Sequence, residues 1–283
     1  MGLIMRVIKS EDIYTKMKQV VLETGYILPR DVEEALKKAY EKETSERAKE
    51  VLAQILENSK LARETKLPLC QDTGTAIFFV IMGDKVRVEG EHISDVLTRA
   101  MVDAYREGYF RKSVCDPFTR KNTGDNSPPI IHYNFVKGDV FKILFMAKGS
   151  GSENMSISKM LPPAAGWEGI KEFVVNRVAE VCPNPCPPII VGVGIGGTFD
   201  FTTILAKRAL FRPLDQRHPD KDIARKEHEL LEEINSLGIG PMGLGGKTTA
   251  LGVKINVMKC HIASLPVAVN IQCHSARYRE VAF

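Results

Sequence analysis

The segment Lys66-Leu67-Pro68-Leu69-Cys70-Gln71-Asp72-Thr73-Gly74-Thr75 constrains the rest of the chain most tightly. It sets a cysteine, an amide, a carboxylate and a tight glycine turn between a polar region of helical spacing and the apolar run Ala76-Ile77-Phe78-Phe79-Val80-Ile81-Met82. A thiolate can hold a metal, and a carboxylate two residues on can move a proton beside it. Two later cysteines have similarly unusual surroundings, Pro185-Cys186-Pro187-Pro188 and Gln272-Cys273-His274-Ser275. Three such cysteines in distant segments predict one assembled site.

A chain of 283 residues has ample material for a core, and its 44% hydrophobic and 26% charged content are those of an ordinary soluble protein. The net charge of +4 comes without any dense Lys/Arg tract, which argues against a nucleic-acid partner and is compatible with a pocket for an anionic metabolite. Met1 to Arg6 leads into a charged amphipathic segment without a long apolar run, so no signal peptide is expected. Arg6 stands where a myristoylation motif requires Ser or Thr. No apolar run approaches the ~20 residues of a membrane span, and a cytoplasmic protein is expected. In that compartment the six cysteines (70, 115, 182, 186, 260 and 273) read as metal or catalytic thiols plus buried fillers, not as a disulfide framework.

Along the chain, apolar residues at helical spacing predict helices over Glu11–Glu23, from Asp31 through Tyr40, and from Thr44 through Leu56, a helical layer over about residues 1–66. Ala76–Met82 reads as a buried strand with which Val86–Glu89 pairs, and His92–Tyr109 as an amphipathic helix. Ile130–Val136 and Val140–Ala147 read as a hairpin turning at Lys137-Gly138-Asp139. Helices are expected at Trp167–Val181, Phe201–Leu210 and Asp220–Leu237, and strands at Ile189–Gly194, Leu251–Met258 and Val267–Ile271. The order predicts a mixed α/β (α+β) fold, with a helical N-terminal layer followed by a mixed sheet and flanking helices, in one domain spanning 1–283.

Several motifs have competing readings. Gly192-Val193-Gly194-Ile195-Gly196-Gly197 matches GxGxxG between a strand and a helix, yet Asp215 and Asp220, at the distance of a ribose-binding acid, do not close a strand. A tight turn with close backbone approach fits better than a dinucleotide site. Gly246-Lys247-Thr248 fails as a phosphate loop because residue 241 is Pro and a strand follows. Cys182 and Cys186 form C-x₃-C, for which Cys260-His261 is the candidate second half of a zinc site. Asp72 is either an Asx-turn residue or an acid–base group, and Arg111 by itself reads as a surface arginine at a helix end. Three thiolates from separate segments can hold three irons of a 4Fe–4S cube and leave the fourth for substrate, so that the cluster works as a Lewis acid.

Cys70-Gln71-Asp72-Thr73-Gly74, Phe110-Arg111-Lys112-Ser113, Asn122-Thr123-Gly124-Asp125-Asn126, Ala147 through Asn154, Cys186-Pro187-Pro188, Gly196-Gly197-Thr198, Gly245-Gly246-Lys247 and His261 with Cys273 follow one another in an order that resembles a known family. From about Val20 to Phe283 the chain resembles the α subunit of two-subunit, iron–sulfur class I fumarate hydratases, with L(+)-tartrate dehydratase α subunits as near relatives. The resemblance implies a 4Fe–4S cluster on Cys70, Cys186 and Cys273, with no ligand role for Cys115, Cys182 or Cys260. It implies that Gln71 and Asp72 line the substrate pocket, with Asp72 a catalytic proton-transfer residue. Arg111 would grip a substrate carboxylate, Gly151 would contact substrate through its backbone, and His261 would stand near the pocket as a further catalytic residue. Single-chain members continue past the Cys273 segment, whereas this sequence stops at Phe283, which implies a separate β subunit and a hetro-oligomer active only when assembled.

Under that resemblance the reaction is a hydro-lyase step, the reversible hydration of fumarate to (S)-malate, with an exposed labile iron and therefore oxygen sensitivity. The Lys148–Asn154 and Gly245–Lys247 segments favour fumarate over tartrate. A NAD-dependent oxidoreductase using the Gly192 loop, and a non-catalytic metal-binding subunit, are the readings from other classes.

Overall fold

The computed structural model describes residues 5–283, so the expectation for the first four residues lies outside it. In chain order the elements are β1 (Arg6–Lys9), α1 (Ser10–Tyr26), α2 (Arg30–Lys42), α3 (Glu46–Thr65), β2 (Thr75–Gly83), β3 (Val86–Glu89), α4 (Ile93–Glu107), β4 (Ile130–Val136) and β5 (Phe141–Lys148). There follow α5 (Ser150–Glu153), β6 (Ile157–Leu161), α6 (Gly166–Val181), β7 (Ile189–Gly196), α7 (Phe199–Ala209), α8 (Lys221–Ser236), β8 (Ala250–Met258), β9 (Leu265–Gln272) and β10 (Tyr278–Ala282). The fold is mixed α/β, as expected. No helix among the described residues is long and apolar enough to cross a membrane.

The chain divides into two compact units, each discontinuous in sequence. Among the described residues the first comprises 5–29, 58–149 and 277–283. Its four-stranded sheet runs β10-β5-β2-β4, with β2 antiparallel to β5, parallel to β4, and β10 antiparallel to β5. Alternate residues of the two central strands, Ala76, Phe78 and Val80 with Ile143, Phe145 and Ala147, join the core formed with Ile13, Met17 and Val21 of α1 and Val96, Leu97, Ala100, Met101 and Ala104 of α4. The spacing of those helical residues gives each helix one apolar face, and each large side chain so buried is worth about 1.5–3 kcal/mol.

Two strand pairings differ from expectation. Residues 130–136 and 141–148 are not a hairpin, because β2 lies between them. The most apolar strand takes the doubly flanked position, while β4, with Ile130, Tyr133 and Phe135 exposed, is left at the edge. The 137–139 turn is instead tied to the end of β2, where Gly83 N–H donates to Val140 (2.7 Å), Asp84 N–H to Val136 (2.9 Å) and Lys85 N–H to Gly138 (2.9 Å). Likewise β3 pairs in parallel with β1, and not with β2.

The second unit comprises residues 30–57 and 150–276. Its sheet runs β6-β9-β7-β8, with β7 parallel to β8 and antiparallel to β9. One face carries Ile189, Val191, Val193, Val253, Ile255, Val267, Val269 and Ile271, clustered with Val174 and Val178 of α6 and Leu230 and Ile234 of α8. The other face of β7 receives α7, and here the glycine-rich motif finds its use. A Cβ on Gly192 would stand 2.2 Å from the Ala206 carbonyl oxygen, and one on Gly194 2.1 Å from that of Thr202. Gly192 and Gly194 lie within the strand and not in the expected tight turn, and beneath a helix they let the two backbones approach.

Candidate active site

The first unit holds the Cys70–Gly74 loop by its backbone. Leu69 N–H donates to Gly25 (2.9 Å), and Asn58 donates to the Leu69 carbonyl (3.0 Å). Asp72 Oδ1 accepts from Gly74 N–H (3.0 Å), so the Asx turn is real, and it leaves Oδ2 outside the turn. Gly74 has φ +83°, and a Cβ there would stand 2.8 Å from backbone atoms of Lys148. Only glycine combines that conformation with that approach. The Thr73 hydroxyl donates to the Arg111 carbonyl (2.7 Å), which couples the Asp72 loop to the segment carrying Arg111.

Three residues that sequence reasoning had not singled out individually complete this arrangement. The buried Tyr105 hydroxyl stands 2.9 Å from the carbonyl oxygens of both Thr73 and Gly74. Burial pushes its hydroxyl well above the ordinary phenol pKa, with Arg277 opposing and Asp72 reinforcing, so it stays a donor. Fully buried Asn126 donates to Gly74 (3.2 Å) and accepts from Ser113 N–H (2.7 Å) and Val114 N–H (3.2 Å). Arg277 is 1% exposed, and its carbonyl accepts from Ala147 N–H (3.0 Å). Asn126 lay within a motif already noted, whereas a lone tyrosine on a helix and a lone arginine before a strand carry no local signal.

Gln71 and Arg111 are exposed. The Arg111 guanidinium has no hydrogen-bond or ion-pair partner among the described residues, so it can receive an anion. Of the glycines in the small-residue loop, Gly149 is buried against Asp72 and Arg277, while Gly151 is exposed with open space about it.

In the second unit Cys186 and Cys273 are brought to adjoining backbone. The residue after Cys273, His274, donates through its N–H to the Cys186 carbonyl (3.4 Å), and its ring Nδ1 lies 2.9 Å from the same oxygen. Cys186 has φ +55°, and the carbonyl of Pro187 accepts from Met242 N–H (2.8 Å). Buried Gln272 places its amide Nε2 3.4 Å from Cys273 Sγ. His261 is exposed in the turn between β8 and β9, where Nδ1 accepts from Ala263 N–H (3.1 Å), so the neutral ring carries its proton on Nε2. Lys247 follows the Gly245-Gly246 turn and is fixed by its N–H to Glu43 Oε2 (2.7 Å); strand β8 follows, not the helix of a phosphate loop.

None of the six cysteines is in a disulfide. Cys70, Cys186 and Cys273 are half-buried, Cys260 is exposed, and burial pushes the Cys182 thiol up to about 11, which disfavours it as a thiolate ligand. Among the described residues no three His, Cys, Asp or Glu side chains gather to hold one metal ion, so Cys182, Cys186, Cys260 and His261 do not form a zinc tetrahedron there. A cubane binds each thiolate at a different iron, so its ligands need not converge on one point. Half-buried thiols outside any disulfide, one of them beside an amide donor, are a donor set that suits such a group.

The family model described as fumarate hydratase (Fumerase) matches residues 14–282. The chain belongs to that family. It is 48% identical over 272 residues to the Methanocaldococcus jannaschii protein named "Putative L(+)-tartrate dehydratase subunit alpha", covering 93% of this chain and 95% of that one. It is 34% identical to the "L(+)-tartrate dehydratase subunit alpha" of Escherichia coli strain UTI89, over 88% of this chain and 84% of that one. It is also 34% identical to the Geobacillus stearothermophilus "Putative fumarate hydratase class I", over 94% of this chain but 54% of that longer one. The fumarate hydratase family match takes in the Cys70 loop, Arg111, Cys186 and Cys273 together.

Proposed function

We propose that this chain is the α subunit of an iron–sulfur hydro-lyase, acting in the cytoplasm on a four-carbon dicarboxylate and working with a separate β subunit. The observation that carries the reading is the immobilised loop of the first unit. Tyr105, Asn126 and the Thr73–Arg111 link hold a thiol, a carboxylate and the strand of chain bearing an unpaired guanidinium in fixed relation. Membership of the family, and the subunit names of the relatives, support the rest.

Cys70, Cys186 and Cys273 would hold a 4Fe–4S cluster, which when bound supplies Lewis-acid help to the departure of hydroxide. Arg111 receives one carboxylate of the substrate through its planar fork, and Gln71 supplies amide hydrogen bonds beside it. Asp72 Oδ2 takes the proton from the carbon next to that carboxylate in the dehydration direction and returns it in hydration. Gly151 offers its backbone to the substrate, and His261, through Nε2–H, donates a hydrogen bond at the pocket.

The motifs favour fumarate and malate as substrate pair. A second reading, dehydration of L(+)-tartrate, is favoured by the name of the 48% identical relative. Anaerobic assay of the chain co-expressed with its β subunit separates the two. Fumarate consumption with malate formation, at a kcat/KM at least tenfold above that for tartrate, is expected. The reverse ratio replaces fumarate by tartrate, and inactivity on both removes the reading.

A further inference from the structure

In the second unit the loop before α8, the first turns of α8 and strand β8 enclose a cavity of about 650 Å³ with an apolar wall of Leu214, Leu231 and Val253. None of its lining residues is among those proposed to hold the cluster or the substrate. That volume suits an organic small molecule and exceeds what an inorganic anion needs. Lys254, 4% exposed, also lines it. Its ammonium donates to the Leu214 (3.2 Å) and Gln216 (2.7 Å) carbonyls, which leaves one N–H, and among the described residues it has no ion pair. The carboxylate in the lining, Glu227, is already engaged, by Arg212 and by Ile255 N–H (2.7 Å). Arg212 itself keeps two buried nitrogens, Nε and Nη1, without a partner. Burial and the charge of Arg212 lower Lys254 by more than Glu227, Asp31 and Asp215 restore, so this corner is short of negative charge. Nearer solvent, the lining side chains of Arg217 and Lys221 have no hydrogen-bond or ion-pair partner among the described residues. His218 Nδ1 accepts from Asp220 N–H (3.0 Å), so its neutral ring presents Nε2–H. Arg225 and His228 add little, because Asp222 (2.7 Å) and Glu232 (3.4 Å) already face them.

We propose that this cavity binds a nucleoside phosphate, its phosphate on Lys254, Arg217 and Lys221 and its flat body against Leu214, Leu231 and Val253. A phosphate monoester carries nearly two charges and three acceptor oxygens, so one group can answer several cations. It would supply the counter-charge that Lys254 lacks, and the Arg217 fork and Lys221 ammonium are the two side-chain types that hold phosphate. A four-carbon dicarboxylate has the charge but no apolar body to cover the leucines. Inorganic phosphate leaves the same wall wet.

The test is calorimetric titration of the full chain at pH 7.5 with AMP, inorganic phosphate and malate as probes, and thermal unfolding of each variant alongside. The variants are Arg217→Ala/Lys221→Ala, Lys254→Met and Ala224→Phe. Ala224 lines the cavity, so the last variant keeps every cation and narrows the space, which separates a cavity from mere surface charge. Saturable binding of about one AMP per chain is expected, with a Kd at least about tenfold below that of phosphate and a loss of about tenfold or more in each variant. Excess malate is expected to leave AMP bound. The absence of AMP binding at millimolar concentration overturns the proposal, as does phosphate binding as tightly as AMP. Displacement of AMP by malate, or unchanged binding in a folded Ala224→Phe, overturns it equally. Should Lys254→Met fail to fold, the exposed double variant and Ala224→Phe decide the matter.

Discussion

Cys182 and Cys186 share one proline-rich stretch and differ in chemistry. The first is pushed up to about 11 by burial, and at pH 8 only about one thiol in a thousand is ionised, whereas Cys260 is exposed. Brief alkylation of the native chain at pH 8, read by mass spectrometry, is expected to label Cys260 and to leave Cys182 unmodified until denaturant is added. Lys254 shows the opposite sign of shift. Burial, followed by the charge of Arg212, lowers it to about 8, although its ammonium still donates to the carbonyls of Leu214 (3.2 Å) and Gln216 (2.7 Å). A base whose folded value lies below its unfolded value penalises the native state while both states are protonated. The penalty is greatest below pH 8 and fades as pH rises from about 8 toward the ordinary lysine range. Urea unfolding is therefore expected to gain on the order of 1–3 kcal/mol from this group between pH 7.5 and 10, a gain absent in Lys254→Met.

At the scale of elements, the β7–α7 pair makes the sharpest demand. Gly194→Ala would drive a methyl group to 2.1 Å from the Thr202 carbonyl oxygen, against backbone that cannot swing aside. A loss of about 3 kcal/mol or more in urea unfolding is expected, against less than about 1 kcal/mol for Gly151→Ala, where nothing lies within 4 Å. Helices such as α1 and α4 were legible because Ile13, Met17 and Val21, or Val96, Ala100 and Ala104, repeat along one face. Strand order was not. Nothing local tells Ile130–Val136 that β2 will come between it and its sequence neighbour, since that depends on which strand loses most by staying exposed. β6 and β10 went unread because Ile157–Leu161 and Tyr278–Ala282 are short and partly polar. The candidate site was legible where chemistry-bearing residues cluster in sequence, as at 70–74. It was illegible where the support comes from a solitary residue far away in the chain, as with Tyr105 and Arg277.

For the whole molecule, the thiols proposed as cluster ligands are those of Cys70, Cys186 and Cys273. Anaerobic reconstitution is expected to load about four irons per chain in the wild type and in Cys115→Ala, and to fail in Cys70→Ala, Cys186→Ala and Cys273→Ala. Retention of full iron in any of those three removes that cysteine from the ligand set. The first unit has a second property that follows from its discontinuity. Its sheet ends in β10, at residues 278–282, after every residue of the second unit has been passed. On a ribosome the strand beside β5 is thus the late arrival, and a nascent chain can finish its second unit while the sheet behind the Cys70 loop still has an open edge. The common order of maturation, N-terminal part first, is inverted here. Of the two units, the one whose first segment is made earlier is the one that must wait.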